Sequence, residues 1–378
     1  MDAFYASVEL LRYPQLRGQP VVVGGRRRMA QGEPEPGEFA TLRGYTGRGV
    51  ITTSTYEARA LGVFSGMGLM KAAKLAPNAL LLPADFDSYR KYSRMFKDAV
   101  RAIAPQVEDR GIDEIYIDLT GPVADSAAEG APDPWARARA IATDIQRSVR
   151  EVTGLSCSVG ITPNKLLSKI ASELNKPAGI SVIRPDDIRS MVWPLAVRKI
   201  NGIGPKANKK LEQLGILTIG DLAQRDAAWL IEHFGRSYGA WMHEAAHGRD
   251  ERPVVTYSEP KSISRETTFE DDLHPVRDKV QLTKIFTDLC VRVAGDLERK
   301  GYAGKTIGLK IRYDNFHTVT RDLTINMPTQ DAKIIRRAAG ECLRRVPLDR
   351  RIRLLGVRVG ALSKPGIVSE VHGMSLFD

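Results

Sequence analysis

Two adjacent carboxylates, Asp113 and Glu114, stand at the start of a short apolar stretch in the segment Gly111-Ile-Asp-Glu-Ile-Tyr-Ile-Asp118. Side chains alternate between faces along a strand, so neighbouring acids share a side only if the strand begins at a turn, which Gly111 permits. Two carboxylates held close together repel each other, and a hard cation such as Mg²⁺, which prefers oxygen ligands, relieves the repulsion. We therefore predict a metal site at a strand tip. The alternative is a solvated acidic turn.

An aromatic hydroxyl and a guanidinium are also spaced for chemistry. Tyr56 and Arg59 stand at positions i and i+3 of a segment that follows a β-branched strand predicted at 50–54. On a helix the two side chains share a face, and arginine can grip a phosphate with two parallel hydrogen bonds. The pair therefore suits a phosphate ligand, although a surface pair that holds a helix end would have the same spacing.

Lys165, Lys169 and Lys176 occur in one segment that begins at Asn164 and ends at Pro177. At about 100° per residue of helix, the three ammonium groups fall within about 40° of one another, opposite a set of apolar side chains. We predict a helix over 164–177 with one packed face and one row of ammonium groups. Proline ends a helix, so Lys176 is expected in the last turn.

Two glycines, Gly202 and Gly204, bracket Ile203 just before another predicted helix, and Lys206 follows them. A glycine-rich turn at the start of a helix presents free backbone N–H groups to an anion. Turns of this helix-hairpin-helix kind bind the phosphates of duplex DNA without reading its sequence. A tight turn between packed helices is the alternative.

The elements that must position these groups follow from the spacing of apolar residues. Helical and extended patterns alternate up to about residue 180, which indicates a mixed sheet with helices packed on it. A small helical unit follows, then a polar, proline-containing linker, then a compact α/β module. The predicted helices span 2–12, with Asp2 as N-cap, and 87–104, 135–152, 280–299 and 331–345; the predicted strands span 21–23, 156–161, 306–313, 319–325 and 352–360, and 26–49 is predicted to be an exposed loop.

Length and charge narrow the class of protein. A chain of 378 residues is expected to form two to four domains, at roughly 100 to 200 residues per domain. The net charge is +11, and residues 261–360 hold 21 Lys and Arg against 13 Asp and Glu, a net of +8. This excess favours a polyanionic partner such as nucleic acid, contacted chiefly by the C-terminal third. The alternative is a solvated basic face.

Cys157, Cys290 and Cys342 are widely separated and form no CxxC pair, so neither a disulfide framework nor a zinc site is expected. No run reaches the roughly 18 apolar residues of a membrane helix, and the N-terminus lacks the basic and apolar regions of a signal peptide. We therefore expect a cytoplasmic protein that does not associate with a membrane.

Taken together, these segments resemble the Y-family translesion DNA polymerases of the bacterial DNA polymerase IV type. The resemblance extends over almost the whole chain and is carried by four motifs: Met1-Asp-Ala-Phe-Tyr-Ala-Ser-Val-Glu9, Tyr56-Glu-Ala-Arg59, Gly111 to Asp118, and Ser158-Val-Gly-Ile-Thr-Pro-Asn-Lys165 continuing to Asn175-Lys-Pro177. It implies a multidomain α+β and α/β fold in the form of a right hand. The implied parts are a palm of mixed sheet and helices (1–24 and 77–180), fingers (25–76), a small helical thumb with the helix-hairpin-helix-like turn (181–248), a linker (249–260), an α/β little finger (261–362) and a tail (363–378).

The resemblance also implies an activity and its site. The activity is template-directed DNA synthesis past damaged bases, without proofreading, by a monomer that uses two Mg²⁺ ions, primer-template DNA and deoxynucleoside triphosphates. It assigns Asp113 as the carboxylate that bridges both ions and Glu114 as a ligand of the ion that activates the primer 3′-hydroxyl. Further assignments are Tyr5 as a steric gate against the ribose 2′-hydroxyl and the triphosphate clamp Tyr56, Arg59 and Lys176. The candidate DNA-binding residues Gly202, Gly204 and Lys206 rest on the glycine-rich turn described above.

The chain departs from the family pattern in two places, the N-terminal motif and the C-terminal tail. The family motif has an Asp, the third metal ligand, directly before the position of Met1 and after a short apolar strand. We expect the chain that begins at Met1 to be a poor polymerase unless Asp2 substitutes, and a chain extended upstream by such a strand and Asp to be active. The tail resembles a sliding-clamp-binding peptide, but Gly373 stands where the family usually has Gln, so weak or absent clamp binding is expected.

Two other classes of function remain open at this point. A non-catalytic, polymerase-like accessory protein that binds DNA and clamp is favoured by the missing first Asp and disfavoured by Asp113 and Glu114. A generic basic DNA-binding protein accounts for the charge but not for the four motifs.

Overall fold

The computed structural model describes residues 1–25, 39–126 and 132–364. The chain divides into two compact units, Met1–Tyr257 and the part from Ser258 on. The loop predicted at 26–49 lies partly outside the described residues, and so does nearly all of the tail predicted at 363–378. Within the described ranges no helix is long and apolar enough to cross a membrane.

The first unit contains a mixed sheet covered on both faces. Its strands are β1 (Val21–Gly24), β2 (Ile51–Ser54) and β3 (Leu80–Leu82), in the order β2-β1-β3. Successive side chains of β1 point to opposite faces. Val21 and Val23 therefore pack with residues of α1 (Phe4–Arg12) and α4 (Phe86–Ile103), whereas Val22 packs with residues of α2 (Tyr56–Ala60) and α3 (Leu69–Leu75). This two-sided burial explains the continuous valine run.

Two further sheets of two strands each follow in the first unit. β4 (Val107–Asp109) pairs antiparallel with β5 (Ile115–Ile117), and β6 (Val159–Ile161) pairs parallel with β7 (Ile180–Val182). A short helix, α5 (Thr120–Asp125), and a long one, α6 (Pro134–Thr153), lie between them in sequence. Ala138, Ala142, Ile145 and Val149 form the buried stripe of α6.

The helix predicted over 164–177 is much shorter in the structure. α7 spans Lys165–Ala171, and turns follow as far as Pro177. The expected N-cap Asp2 is also wrong, because α1 starts at Phe4 and Ala3 occupies the N-cap position. Instead of capping α1, the Asp2 side chain accepts from the Ser158 hydroxyl and from Ala178 N–H.

A helical region completes the first unit. It consists of α8 (Pro205–Gln213), α9 (Ile219–Ala223), α10 (Ala227–Phe234) and α11 (Arg236–Ala246). Their buried side chains share one core with the apolar face of α7, which contributes Leu166, Leu167 and Ile170. The small helical unit expected from the sequence is therefore present, and α7 joins it to the sheets.

The second unit is a four-stranded antiparallel sheet with two helices. Its elements are β8 (Ser262–Leu273), α12 (Lys279–Lys300), β9 (Ala303–Tyr313), β10 (Thr318–Thr329), α13 (Ala332–Arg344) and β11 (Ile352–Ser363), and the strand order is β10-β9-β11-β8. The predicted helices and three of the strands agree with this. Strand β8 was missed, because it is a polar edge strand whose few apolar residues alternate with exposed charged ones.

Lys165 was predicted to stand in an exposed row of ammonium groups, and this is wrong. It is buried, and its Nζ donates to Glu108 Oε2 at 2.6 Å and to Pro253 O at 2.7 Å. Val255 N–H donates to the same Glu108 oxygen at 3.0 Å. The pair therefore fastens the first half of the segment predicted as a free linker, 249–260, to the first unit.

We expect Glu108→Gln to destabilise the first unit by about 3 to 5 kcal/mol, because it leaves the Lys165 ammonium buried without a carboxylate. Burial raises the pKa of the Glu108 carboxyl, but hydrogen bonds from Lys165 and from Val255 N–H outweigh burial and hold the pKa below its ordinary value. The carboxylate therefore stabilises the fold at neutral pH, and this contribution is lost as the pH falls through the lowered pKa.

Urea unfolding followed by tryptophan fluorescence measures this effect in the first unit, since all four tryptophans lie between Trp135 and Trp241. Glu232→Gln, an exposed change on α10, is the control and should unfold like the parent. The double variant Glu108→Gln/Lys165→Met should regain part of the loss. Equal unfolding midpoints for Glu108→Gln and the control would contradict the assignment.

Candidate active site

Asp113 and Glu114 lie in the turn that joins β4 to β5. Gly111 adopts φ +159°, and Arg110 N–H donates to Glu114 O at 3.1 Å across the turn. The Glu114 side chain is 48% exposed, so it can reach a ligand from solution. The turn stands where the sequence predicts it, directly before the apolar strand.

Lys97, which was not predicted from the sequence, stabilises this turn through two hydrogen bonds. Lys97 is buried on α4, and its Nζ donates to Asp109 Oδ1 at 2.7 Å and to Gly111 O at 2.6 Å. It shares the buried face of α4 with Ser93 and Val100. A lysine on an otherwise buried helical face was the available signal, since such a group needs buried partners.

A cavity of about 620 Å³ opens beside the acidic pair, between β5 and β6. Apolar side chains of both strands line it, and so do Asp113, Glu114, Lys169 and Lys176. Among the residues that the structure describes, neither β5 nor β6 has a partner on its other edge. The cavity thus combines two open strand edges with charged groups at one end.

The first residues of the chain lie at this same place. The Met1 amino group donates to Asp113 O at 2.8 Å, and Asp2 N–H donates to Ser156 O at 3.1 Å. Met1 and Asp2 are therefore tied to the residues that lead into β5 and into β6.

Asp2 does not extend the acidic pair. Its side chain is buried, and its two oxygens accept from the Ser158 hydroxyl at 2.7 Å and from Ala178 N–H at 2.9 Å. Burial alone raises the pKa of the Asp2 carboxyl, but these hydrogen bonds outweigh burial and hold the pKa below its ordinary value. The carboxylate is ionised and already supplied with donors, which makes it a structural group.

Two lysines and a further glutamate surround the acidic pair. Lys169 donates to Glu114 Oε1, and its Nζ lies 3.6 Å from Glu173 Oε1. Lys176 Nζ lies 3.2 Å from the same Glu173 oxygen and 3.7 Å from Asp2 Oδ1. Glu173 was not singled out from the sequence, although it stands four residues after Lys169 and three before Lys176.

Tyr5 lies against a small group of aromatic rings. Its ring centre is 4.4 Å from that of Tyr89 and 5.9 Å from that of Phe86. The Tyr89 hydroxyl donates to buried Glu9 at 2.5 Å, which fixes the supporting ring. Burial, and then the charge of Asp113, raise the pKa of the Tyr5 hydroxyl. Glu9 and Tyr89 were not predicted from the sequence.

Tyr56 and Arg59 share a face of α2, as expected. The guanidinium carbon lies 5.1 Å from the Tyr56 ring centre, and Arg59 Nε donates to Ser54 O at 3.2 Å. Burial, and then the charge of Asp2, raise the pKa of the Tyr56 hydroxyl, and Glu173 adds to the effect. Tyr56 therefore lies in the field of the same two carboxylates that pair with Lys176.

The turn with Gly202 and Gly204 is exposed around one buried anchor, Ile203. Gly202 adopts φ +117°, and a Cβ there would lie 2.6 Å from Trp241. Gly204 is the N-cap of α8 and has no atom within 4 Å of its Cβ position, so a phosphate can approach its backbone. Lys206 is exposed in the first turn of α8.

The carboxylates of Asp113 and Glu114 offer the oxygen ligands that a hard divalent cation needs. Within the described part of the chain, no three His, Cys, Asp or Glu side chains are grouped to hold a metal by themselves. Mg²⁺ is usually bound by one or two carboxylates together with substrate phosphates and waters. Two carboxylates beside an open cavity therefore fit an ion that is completed by a phosphate ligand.

Comparisons with known proteins identify the family and the fold of the chain. The impB/mucB/samB family profile matches residues 1–173, its C-terminal domain profile residues 260–370, and its HHH-motif profile residues 185–216. The chain is 40% identical to a DNA polymerase IV of Methanoculleus marisnigri, over 96% of this chain and 92% of that one. It is 39% identical to a DNA polymerase IV of Alkalilimnicola ehrlichii, over 96% and 93%. A solved Y-family DNA polymerase chimera covers 95% of this chain and 96% of its own, with a TM-score of 0.77 and 26% identity.

Proposed function

Because the chain belongs to the impB/mucB/samB family of Y-family DNA polymerases, and is a DNA-directed DNA polymerase of the translesion type, we propose that it joins nucleotides at the turn carrying Asp113 and Glu114. One observation supports this location above all. The acidic pair, Lys169 and Lys176 line a single cavity, so groups that suit divalent ions and groups that suit phosphates stand together. The alternative of a non-catalytic accessory protein is not favoured, since the relatives are DNA polymerases IV.

We propose the domain boundaries implied by the sequence resemblance. The palm is then 1–24 and 77–180, and the fingers are 25–76. The thumb is 181–248, the linker 249–260, the little finger 261–362 and the tail 363–378. The helical region α8 to α11 and the separate sheet of the second unit support the thumb and the little finger of this division.

Polymerases of this family depend on a divalent metal, and we propose that Mg²⁺ serves here, as two ions. Two such ions would lower the pKa of the primer 3′-hydroxyl and would neutralise charge on the attacking and leaving oxygens. Asp113 would hold both ions, and Glu114 would hold the ion next to the primer end. The 48% exposure of the Glu114 side chain supports a ligand that meets an incoming substrate.

Contacts to the substrates are proposed from the cationic groups. Tyr56, Arg59 and Lys176 would hold the triphosphate of the incoming deoxynucleotide. Gly202, Gly204 and Lys206 would hold backbone phosphates of the primer-template DNA, and the basic second unit would hold more of them. The open backbone at Gly204 supports such a contact.

Three further proposals concern the protein's surroundings. The tail would bind a sliding clamp weakly, since Gly373 replaces the usual Gln; this segment lies outside the described residues. Because its substrate is DNA, the enzyme would act in the cytoplasm. It would do so as a monomer.

We also propose that an Asp joined to the chain directly before Met1 would serve as a third metal ligand. A residue joined to Met1 would start beside Asp113 O, which lies 2.8 Å from the Met1 amino nitrogen. An apolar strand before that residue could enter the cavity between the open edges of β5 and β6. Pairing with those edges would also satisfy backbone groups that cost about 1 to 3 kcal/mol each when they are buried alone.

The function and this ligand are tested together by single-nucleotide insertion opposite an undamaged base and opposite an abasic site. A chain that begins at Met1 is compared with one extended by an apolar strand ending in Asp. We expect Mg²⁺-dependent insertion on both templates, abolished by EDTA, and roughly tenfold or more faster insertion by the extended chain, since changes around a metal site cost 10- to 100-fold.

An extended chain ending in Asn instead of Asp is the matched control, because it keeps the strand but removes the charge. Equal insertion rates for the Asp and Asn forms would contradict the third ligand. Absence of Mg²⁺-dependent insertion in all three chains would contradict the polymerase function itself.

A further inference from the structure

Five charged side chains of alternating sign form a continuous path along one side of the site. The path begins at the proposed metal ligand Glu114 and continues through Lys169, Glu173 and Lys176 to Asp2. Lys169 donates to Glu114 and lies 3.6 Å from Glu173, and Lys176 lies 3.2 Å from Glu173 and 3.7 Å from Asp2. The path therefore connects the metal ligands to the lysine of the proposed triphosphate clamp.

Glu173 is the shared member of this path, because one of its oxygens, Oε1, lies within 4 Å of both lysine ammonium groups. Burial raises the pKa of its carboxyl, but the charges of Lys176 and then Lys169 outweigh burial and hold the pKa below its ordinary value. Glu173 is thus an ionised group placed to hold either lysine. Its contacts to the two ammonium groups are unequal, and the shorter one goes to Lys176.

We propose that Lys169 and Glu173 couple cation binding at Glu114 to the release of Lys176 for the triphosphate. The inference rests on the proposed function of Glu114 and Lys176. Lys169 occupies Glu114 Oε1, so it must leave that oxygen when a divalent ion is held there, since the two cations would repel each other. Glu173 is within 3.6 Å and is the acceptor to which Lys169 moves.

Lys176 becomes available as a consequence. When Lys169 forms a close ion pair with Glu173, the ion pair between Glu173 and Lys176 weakens, because the two ammonium groups then share one carboxylate oxygen. The other two contacts of Lys176 are longer than its contact with Glu173: Met1 O lies 3.5 Å and Asp2 Oδ1 3.7 Å from its Nζ. Lys169 and Glu173 are therefore positioning residues that order the steps of substrate binding. By linkage, a triphosphate on Lys176 would in turn favour cation binding at Glu114.

The first test measures Mn²⁺ affinity by electron paramagnetic resonance. It uses the full chain bound to primer-template DNA with a dideoxy-terminated primer, so that no bond forms. We expect Glu173→Gln to weaken Mn²⁺ binding roughly tenfold, a typical loss for a residue behind a metal ligand, because Lys169 then has no second carboxylate. Lys169→Met should strengthen binding, and Glu173→Asp should restore most of the parent affinity.

A double-mutant cycle separates this movement of Lys169 from Glu114 to Glu173 from a general effect of charge on Mn²⁺ binding. In the Lys169→Met background, Glu173→Gln should leave Mn²⁺ affinity within about twofold, because no lysine remains to be moved. An equal loss in both backgrounds would overturn the proposal. Glu151→Gln, an exposed change at the end of α6, is the matched control.

The second test reads Lys176 directly, through its rate of acetylation by an N-hydroxysuccinimide ester, followed by mass spectrometry. In the parent, Mn²⁺ should increase the rate at Lys176 severalfold and leave exposed Lys206 unchanged. In Glu173→Gln the rate should be high with and without Mn²⁺. Suppose that the parent binds Mn²⁺ and Glu114→Gln does not. An acetylation rate at Lys176 of the parent that does not change with Mn²⁺ would then overturn the proposed coupling but not the metal site. Unchanged Mn²⁺ affinity in Glu114→Gln would overturn the metal site as well.

Discussion

Replacing Asp113 with Asn, or Glu114 with Gln, is expected to lower the rate of Mg²⁺-dependent primer extension by roughly a thousandfold, at the upper end of what one lost electrostatic group costs. Each change keeps the shape of the side chain and removes one charge from the two carboxylates that the structure offers to the ions. Affinity for primer-template DNA should change less than about twofold, since the residues proposed to contact DNA phosphates lie outside the acidic pair. Single-turnover extension and fluorescence anisotropy measure the two quantities.

Asp98→Asn is the matched control for this experiment, because Asp98 is an exposed carboxylate on α4 that pairs with Arg101. It should extend primers at the parent rate. Glu114→Gln also removes the partner of Lys169, so its thermal stability should be measured to separate folding from chemistry. Extension at the parent rate by either site variant would show that the acidic pair is not the catalytic site.

Tyr5→Ala is expected to raise the incorporation of ribonucleotides relative to deoxyribonucleotides by about a hundredfold, which corresponds to roughly 2.8 kcal/mol of removed steric clash. We propose that the ring of Tyr5 resists a ribose 2′-hydroxyl because the ring of Tyr89, with its centre 4.4 Å away, and that of Phe86 pack against it. A ring without that support would simply move aside. The ratio of kcat/KM for the two sugars measures the effect.

Tyr5→Phe is the control for the gate, since it keeps the ring and loses only the hydroxyl, and it should discriminate like the parent. Glu9→Gln gives a finer comparison, because it alters the acceptor of the Tyr89 hydroxyl and not the gate itself. Similar sugar ratios for Tyr5→Ala and Tyr5→Phe would mean that another group excludes the ribose.

Much of the fold could be predicted from the sequence. The buried run Val21–Val23, the helix α6 and most elements of the second unit follow from apolar spacing, and the structure contains them. Strand β8 escaped this reasoning because its signal is weak: an edge strand with a polar outer face exposes much of its length to water. The end of α7 escaped it because turn residues 172–176 still carry helix-forming side chains.

The amino-acid types of the site were also evident in the sequence. Asp113 with Glu114, Tyr56 with Arg59, and the glycines around Ile203 were found because each group acts within a few residues of chain, where strand, helix and turn geometry fix the spacing. Their proposed roles came from the resemblance to a family, to which the comparisons show that the chain belongs.

What the sequence by itself determined is therefore the set of local motifs and the elements that carry them. Only the tertiary structure decided which charges meet across the fold: Glu108 with Lys165, Lys97 with the turn before Asp113, and Lys169 with Glu114. It also placed Asp2 among donors instead of beside a metal. The physical reason is that an ionic contact depends on the distance between atoms that the fold brings together, and spacing along the chain fixes that distance only within a single helix or turn.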